Sequence, residues 1–279
     1  MIKLQQLSKH YGNIVAVAGL NLHIKRGEIF GLLGPNGAGK TTTIRMLTML
    51  TWPTDGKALI NGYDVTRDLN KVKQEIGVVP QQMNLDQELT ARENLELHGR
   101  LYKQPTAERQ KRIEELLDYV ELQERADDLV SKFSGGMKRR LMIARALMHN
   151  PKVLFLDEPT VGLDPHTRRK IWDLIRRMNN EGMTVLLTTH YIEEAEILCH
   201  RVGIMDRGQL IALDTPEKLK RKVGEVAVES FEDTETGYKL FSSREKALDY
   251  AGQVKSNVLI RDTNLEDVFI ELTGRKVGD

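Results

Sequence analysis

The run Gly34-Pro35-Asn36-Gly37-Ala38-Gly39-Lys40-Thr41 constrains this chain more than any other stretch. It fits the pattern of glycine, four residues, glycine, lysine and threonine that marks a phosphate-cradling loop. Before it, Glu28 to Leu33 is an apolar run of strand length; after it, Ile44, Leu47 and Leu50 fall on one helical face. A strand, a glycine-rich loop and a helix in that order predict an α/β sheet with an anion site at the helix start. Glycines let successive backbone N–H groups turn inward, and the helix N-terminus adds partial positive charge. Lys40 can then reach the β- and γ-phosphates of a nucleotide, and the Thr41 hydroxyl can take a place on Mg²⁺.

Several other stretches read as additions to that loop. Val153-Leu154-Phe155-Leu156 is a fully apolar strand ending in Asp157 and Glu158. Beside a phosphate loop, the aspartate at such a strand end holds Mg²⁺ and the next glutamate can deprotonate a water. Ile76 to Val79 is a second buried strand, followed by Gln81, an amide able to ligate Mg²⁺ or hold a water. Thr184 to Thr189 is a third, with His190 at its tip, where α/β sheets gather ligands. Tyr11, upstream of the loop, offers an aromatic face that could stack on adenine, though a half-buried strand-end tyrosine reads as well. Ser134-Gly135-Gly136 opens a helix and forms a second potential phosphate site with Ser134 as its cap. Two anion sites in one chain need explaining, because one nucleotide already has its cradle.

Composition bounds the rest. With 279 residues, 40% of them hydrophobic and 29% charged, the chain can bury a full core and carry an appendage. A net charge of +1 provides no general field for nucleic acid, and the run of Lys218, Lys220, Arg221 and Lys222 reads as a solvated helix face. The single cysteine, Cys199, excludes an internal disulfide framework and fits a reducing compartment; its neighbour His200 does not make it a metal site. No apolar stretch is long enough to span a membrane, so a soluble cytoplasmic protein is expected. We expect a main α/β domain over residues 1–220, its helical subdomain covering about 89–150, and an α+β accessory domain over 221–279. Thr90-Ala91-Arg92-Glu93 predicts a capping box at the head of one helix in that subdomain.

Taken in order, Tyr11, Gly34 to Thr41, Gln81, Ser134-Gly135-Gly136, Asp157-Glu158, Asp164 and His190 resemble the nucleotide-binding subunit of ATP-binding cassette (ABC) transporters. The resemblance covers roughly residues 1–220 and implies a phosphate-loop NTPase fold of the ABC ATPase type. That fold joins an N-terminal antiparallel β subdomain to an α/β core and an inserted helical subdomain. The resemblance also implies ATP and Mg²⁺ as cofactors, and a second cassette, an identical one being expected, paired head to tail. Tyr11 would stack on adenine, and Asn36, Gly37, Gly39, Lys40, Thr41 and Thr42 would bind phosphates. Thr41, Gln81 and Asp157 would serve Mg²⁺, Glu158 would activate water, and His190 would contact the γ-phosphate. Ser134, Gly135, Gly136 and Asp164 would act across the dimer, which accounts for the second anion site.

The family usually has leucine before and glutamine after Ser-Gly-Gly, and this chain has Phe133 and Met137. The ending Asn264-Leu265-Glu266-Asp267-Val268-Phe269 resembles the tail of cassettes in drug-resistance type exporters. The expected function is therefore hydrolysis of ATP to power a separate membrane permease, with export of a small or lipid-like substrate, at the inner face of the cell membrane. The alternative is a soluble ABC ATPase acting on ribosomes or DNA, but such members usually carry two cassettes or a long coiled-coil insertion. One cassette, no heptad run and no basic patch favour the transporter and no nucleic-acid partner. A third class, using ATP only as a structural ligand, conflicts with the intact Glu158 and His190.

Overall fold

The computed structural model describes residues 1–231, 236–254 and 256–274. The chain opens with a hairpin, β1 (Ile2–Tyr11) and β2 (Ile14–Ile24), followed by β3 (Ile29–Leu33) and α1 (Lys40–Leu47). Next come β4 (Asp55–Ile60), the short β5 (Tyr63–Asp64), α2 (Leu69–Glu75) and β6 (Ile76–Val79). The helical block follows as α3 (Ala91–Leu101), α4 (Thr106–Tyr119) and α5 (Gly135–Ala146), the last two joined through 3₁₀ turns. The chain then alternates through β7 (Val153–Asp157), α6 (Pro165–Asn180), β8 (Thr184–Thr189), α7 (Ile192–Leu198), β9 (Arg201–Asp206), β10 (Gln209–Asp214) and α8 (Pro216–Val223). Last are β11 (Val226–Phe231), β12 (Thr236–Phe241), α9 (Arg244–Ala251), β13 (Asn257–Asp262) and α10 (Leu265–Thr273).

Two sheets form the body. The antiparallel one runs β2-β1-β4-β5, and the other runs β10-β9-β3-β8-β7-β6, parallel from β9 to β6 with β10 as an antiparallel edge. Period-two alternation explains why its central strands are apolar throughout. Val153 and Phe155 face the cluster shared with α1 and the antiparallel sheet, while Leu154 and Leu156 face the cluster built with α5, α6 and α7. In β1 the inward set Ile2 and Leu4 resumes at Leu7 instead of Gln6, because a bulge with Gln6 at φ 49° shifts the register there.

The helical block begins at the expected capping box. Glu93 N–H donates to Thr90 Oγ1 at 3.1 Å and Thr90 N–H to Glu93 Oε2 at 2.8 Å. Leu95 of α3, Ile113, Leu116 and Leu117 of α4 and Leu141 of α5 bury their apolar faces together, which ties the block to the sheet through α5. On α6 Ile171, Leu174, Ile175 and Met178, spaced three and four residues apart, form one apolar stripe buried against the same core.

Beyond residue 224 a small antiparallel sheet, β12-β11-β13, packs Val226 and Val228 against Ala247 of α9. The final helix leaves this unit: Leu265, Val268 and Phe269 of α10 join Leu219 of α8 and Leu198 of α7 in the core of the body. Arg261 of β13 grips the fully buried Asp267 through two hydrogen bonds of 2.7 and 2.8 Å, and so links small sheet and returning helix. Among the described residues no helix is long and apolar enough to cross a membrane.

Candidate active site

The strand order sets neighbours that are distant in sequence. In the order β3-β8-β7-β6 four parallel carboxyl ends lie side by side, and they are followed by residues 34–41, His190, Glu158 and Gln81 respectively. The cradle forms because residues 34–41 cannot continue either element. Gly39 caps α1 at φ 103°, and a Cβ there would sit 2.5 Å from the Ala16 carbonyl oxygen. The loop is pinned from outside: Gly208 N–H donates to Ala38 O at 3.0 Å, and Ala18 N–H to Gly208 O at 2.9 Å.

Lys40 is only 5% exposed, and its ammonium donates to the carbonyls of Gly34 at 2.6 Å and Pro35 at 2.9 Å. Burial lowers its pKa, while the nearby Glu158 and Asp157 charges act the other way. The Thr41 hydroxyl lies 3.2 Å from Asp157 Oδ1, and Thr188 of β8 donates to the same oxygen at 2.5 Å. Thr188 is register partner to Asp157, so the sheet itself supplies that bond.

Glu158 is buried and left-handed at φ 49°, a strained conformation for a side-chain-bearing residue. Its backbone N–H bonds Thr188 O and Oγ1, each at 3.1 Å. Its carboxylate accepts from Gln81 Nε2 at 3.0 Å; His190 Nδ1 stands 3.1 Å from the other oxygen, off the axis of a hydrogen bond. Arg139 of α5 fixes the Gln81 segment, donating to Pro80 O at 2.8 Å and Gln81 O at 3.0 Å from a fully buried position. Burial lowers the pKa of that guanidinium, opposed by Glu194 and Asp157.

A second group of predicted residues lies elsewhere. Ser134 caps α5 through Met137 N–H at 3.3 Å, and a Cβ on Gly136 would meet Thr167 Cγ2 at 2.3 Å. Asp164, exposed, caps α6 by accepting from Thr167 N–H at 3.0 Å and the Thr167 hydroxyl at 2.6 Å. Those bonds hold its pKa below the usual carboxylate value. The Ser134 and Asp164 loops thus share one surface, and among the described residues no hydrogen bond links Ser134, Gly135 or Gly136 to residues 34–42. Tyr11, 44% exposed, ends β1 with Lys9 Nζ 4.9 Å from its ring centroid.

Sequence reasoning assigned no part to Thr188, Arg139 or Glu194. Thr188 becomes legible only once β8 is paired with β7, and Arg139 only once α5 is laid beside Gln81.

A buried lysine and a threonine at a helix start, beside two strand-end carboxylates, define the class, a phosphate-loop ATPase. The family described as ABC transporter matches residues 17–161. The linearmycin resistance ATP-binding protein LnrL of Bacillus subtilis (strain 168) is 47% identical over 80% of this chain and 72% of its own. A Nod factor export ATP-binding protein I of Paraburkholderia xenovorans (strain LB400) is 42% identical over 100% of this chain and 98% of its own. Among solved structures, an ATP-binding subunit of an ABC transporter superposes with a TM-score of 0.72 at 31% identity, covering 80% of this chain and 92% of that one. An ATP-binding cassette solved as a dimer in a post-hydrolysis state with ADP and Pi gives 0.69 at 34% identity, covering 77% and 98%. The chain belongs to the ABC transporter family, as its ATP-binding cassette, an ATPase that hydrolyses ATP for transport.

Proposed function

We propose that this cassette powers export of a small or lipid-like molecule through a separate membrane permease, on which it sits at the inner face of the cell membrane. The observation that carries the hydrolytic half is Glu158, held between Gln81 and His190 beside the Thr41 and Asp157 pair. Linearmycin resistance and Nod factor export, the roles in the relatives' names, support the export half.

The residues fit the cofactors. Thr41, Gln81 and Asp157 offer hydroxyl, amide and carboxylate oxygens, the hard donors that Mg²⁺ takes alongside phosphates and water. When bound, the ion neutralises charge on the β- and γ-phosphates. Lys40 exchanges the carbonyls of Gly34 and Pro35 for phosphate oxygens, and Asn36, Gly37, Gly39, Thr41 and Thr42 complete the cradle at the start of α1. Tyr11 stacks on adenine. Glu158 takes the proton of the attacking water, its aim fixed by the Thr188 bonds to its backbone; Gln81 holds that water and His190 contacts the γ-phosphate.

Ser134, Gly135, Gly136 and Asp164 close the site of a second, identical cassette packed head to tail. Support comes from the exposure of Ser134, Gly135 and Asp164 on one face and from the dimeric relative with ADP and Pi. Met83, just past Gln81, and Leu97 and Leu101 of α3 are exposed apolar residues that suit a permease contact. We assign residues 1–220 to the cassette, with its helical subdomain at about 89–150, and 221–279 to an accessory unit whose α10 docks back on the cassette.

Replacing Glu158 with Gln tests the site. The variant should lose about 10²-fold or more in turnover and keep ATP binding, because the amide keeps the shape and loses the base. Near-normal turnover would remove Glu158 from its role. Recovery of ribosomes or DNA with the chain, in place of a membrane protein, would overturn the transport reading.

A further inference from the structure

Glu194, on α7, is a carboxyl with no exposed surface. Its Oε1 accepts two hydrogen bonds, from the Thr160 hydroxyl at 2.9 Å and from the Trp172 indole N–H at 3.0 Å. Its Oε2 is buried with no well-formed hydrogen bond, and the Thr189 hydroxyl also acts on the carboxyl. Taking a carboxyl out of water costs several kcal/mol, and an apolar side chain of similar volume stabilises such a position as well or better. Glu194 therefore does something other than fill the core.

The three segments it joins are those that carry the site. Thr160 stands two residues after Glu158, in a turn closed by Val161 N–H to Glu158 O at 3.3 Å and Leu163 N–H to Thr160 O at 3.2 Å. Trp172 lies on α6, whose N-cap is Asp164. Glu194 itself follows His190 by four residues. Burial raises its pKa, against the bonds from the side chains around it and the nearby His190.

We propose that Glu194 is a positioning residue for hydrolysis, one buried oxygen fastening the turn after Glu158 and the helix behind Asp164 to the helix behind His190. It touches no nucleotide, and it rests on the roles proposed above for Glu158 and His190. Because both bonds end on the same oxygen, a displacement of His190 and α7 on γ-phosphate contact is passed directly to Glu158 and Asp164.

The test measures turnover, KM and ATP binding of the purified full chain carrying Glu158→Gln, Glu194→Ala, Glu194→Gln or Thr160→Val. Glu194→Ala should cut kcat by about tenfold or more while KM and ATP binding stay within about threefold, the pattern of a group acting only in the reaction step. Glu194→Gln, whose amide oxygen still accepts both bonds, should recover kcat to within about threefold of wild type. Thr160→Val should lower kcat alone and add little on top of Glu194→Ala, since both remove one interaction. A folded Glu194→Ala chain with wild-type kcat overturns the proposal, as does a Gln variant as damaged as the Ala variant. If Glu194→Ala fails to fold, wild-type kcat in Thr160→Val overturns it. Normal turnover in Glu158→Gln would instead sink the site reading, so the two failures are distinguishable.

Discussion

The carboxyl edge of the six-stranded sheet and the face bearing Ser134 and Asp164 are built in opposite ways. At the edge the charged groups Lys40, Asp157 and Glu158 are buried, and side chains from separate segments bond one another: Thr41 to Asp157, Asp157 to Thr188, Glu158 to Gln81. On the face, Ser134 and Asp164 are exposed, and each spends its oxygen capping its own helix. One region is arranged before any ligand arrives, as catalysis by fixed dipoles and charges requires. The other is locally stable and, among the described residues, makes no hydrogen bond to the 34–42 loop. A cap that holds its loop in shape without occupying it suits a surface kept ready for a second molecule.

The sharpest way to break this contrast is to spoil the face and leave the edge intact. In Ser134→Asp the carboxylate still caps α5 but repels a phosphate, so stability should hold while turnover falls by about 10²-fold. Lys40→Ala should be equally inactive. An equal mixture of the two inactive chains should recover about a quarter of wild-type turnover, because half the head-to-tail dimers then hold one intact site. A mixture that stays inactive would count against pairing of the face with another chain's edge.

Next in size is a change within the edge. Thr188→Val removes a hydroxyl that donates to Asp157 and accepts from the Glu158 backbone, with little change in shape. A hydrogen bond to a charged group is worth about 1.5–3 kcal/mol, so turnover should fall about tenfold or more. ATP binding, which rests on the glycine loop, should change far less. Equal losses in binding and turnover, measured by nucleotide titration and phosphate release, would mean that the hydroxyl supports the cradle and not the chemistry.

The same contrast governs what was legible in the sequence. Residues 34–41, Asp157 with Glu158, and Ser134 to Gly136 could be read because each is consecutive, and local spacing alone brings their groups together. The strands and the stripe on α6 were legible from periodicity, since burial on one or two faces leaves its period in the sequence. What joins separate segments was not: Thr188, Arg139 and Glu194 each work through a partner tens of residues away. The docking of α10 was hidden for the same reason. The pattern of Leu265, Val268 and Phe269 predicts a helix face but not the core it meets. The left-handed Glu158 carries no local signal either, being neither glycine nor asparagine.

A smaller effect separates packing from recognition on the face. Gly136 abuts Thr167 so closely that a methyl group would displace its Cγ2. Gly136→Ala should cost about 1 kcal/mol of stability, at the low end of the usual overpacking cost because the blocking atom ends a short side chain. Thr167→Ser removes that methyl and keeps the hydroxyl bonded to Asp164, so the double variant should regain the lost stability in thermal melts. Turnover that stays low in the restored double variant would show that Gly136 is needed bare for the partner.

The smallest expected effect is the acid response of Asp164. Its pKa is depressed by the Thr167 side-chain and backbone bonds. A carboxyl with a lowered folded pKa binds fewer protons in the folded state, so its contribution is complete above its unfolded value and is lost as pH falls through the folded one. Asp164→Asn keeps the cap, because the amide oxygen accepts the same bond from Thr167 N–H. Near neutral pH its melting temperature should match wild type, and the small fall of wild type below about pH 4 should be reduced. Because the group is exposed, the difference should be slight and should shrink as salt is raised. A large loss near neutral pH would mean that the Asp164 charge, rather than its hydrogen-bonding shape, holds the face together, and would make that face as prearranged as the edge.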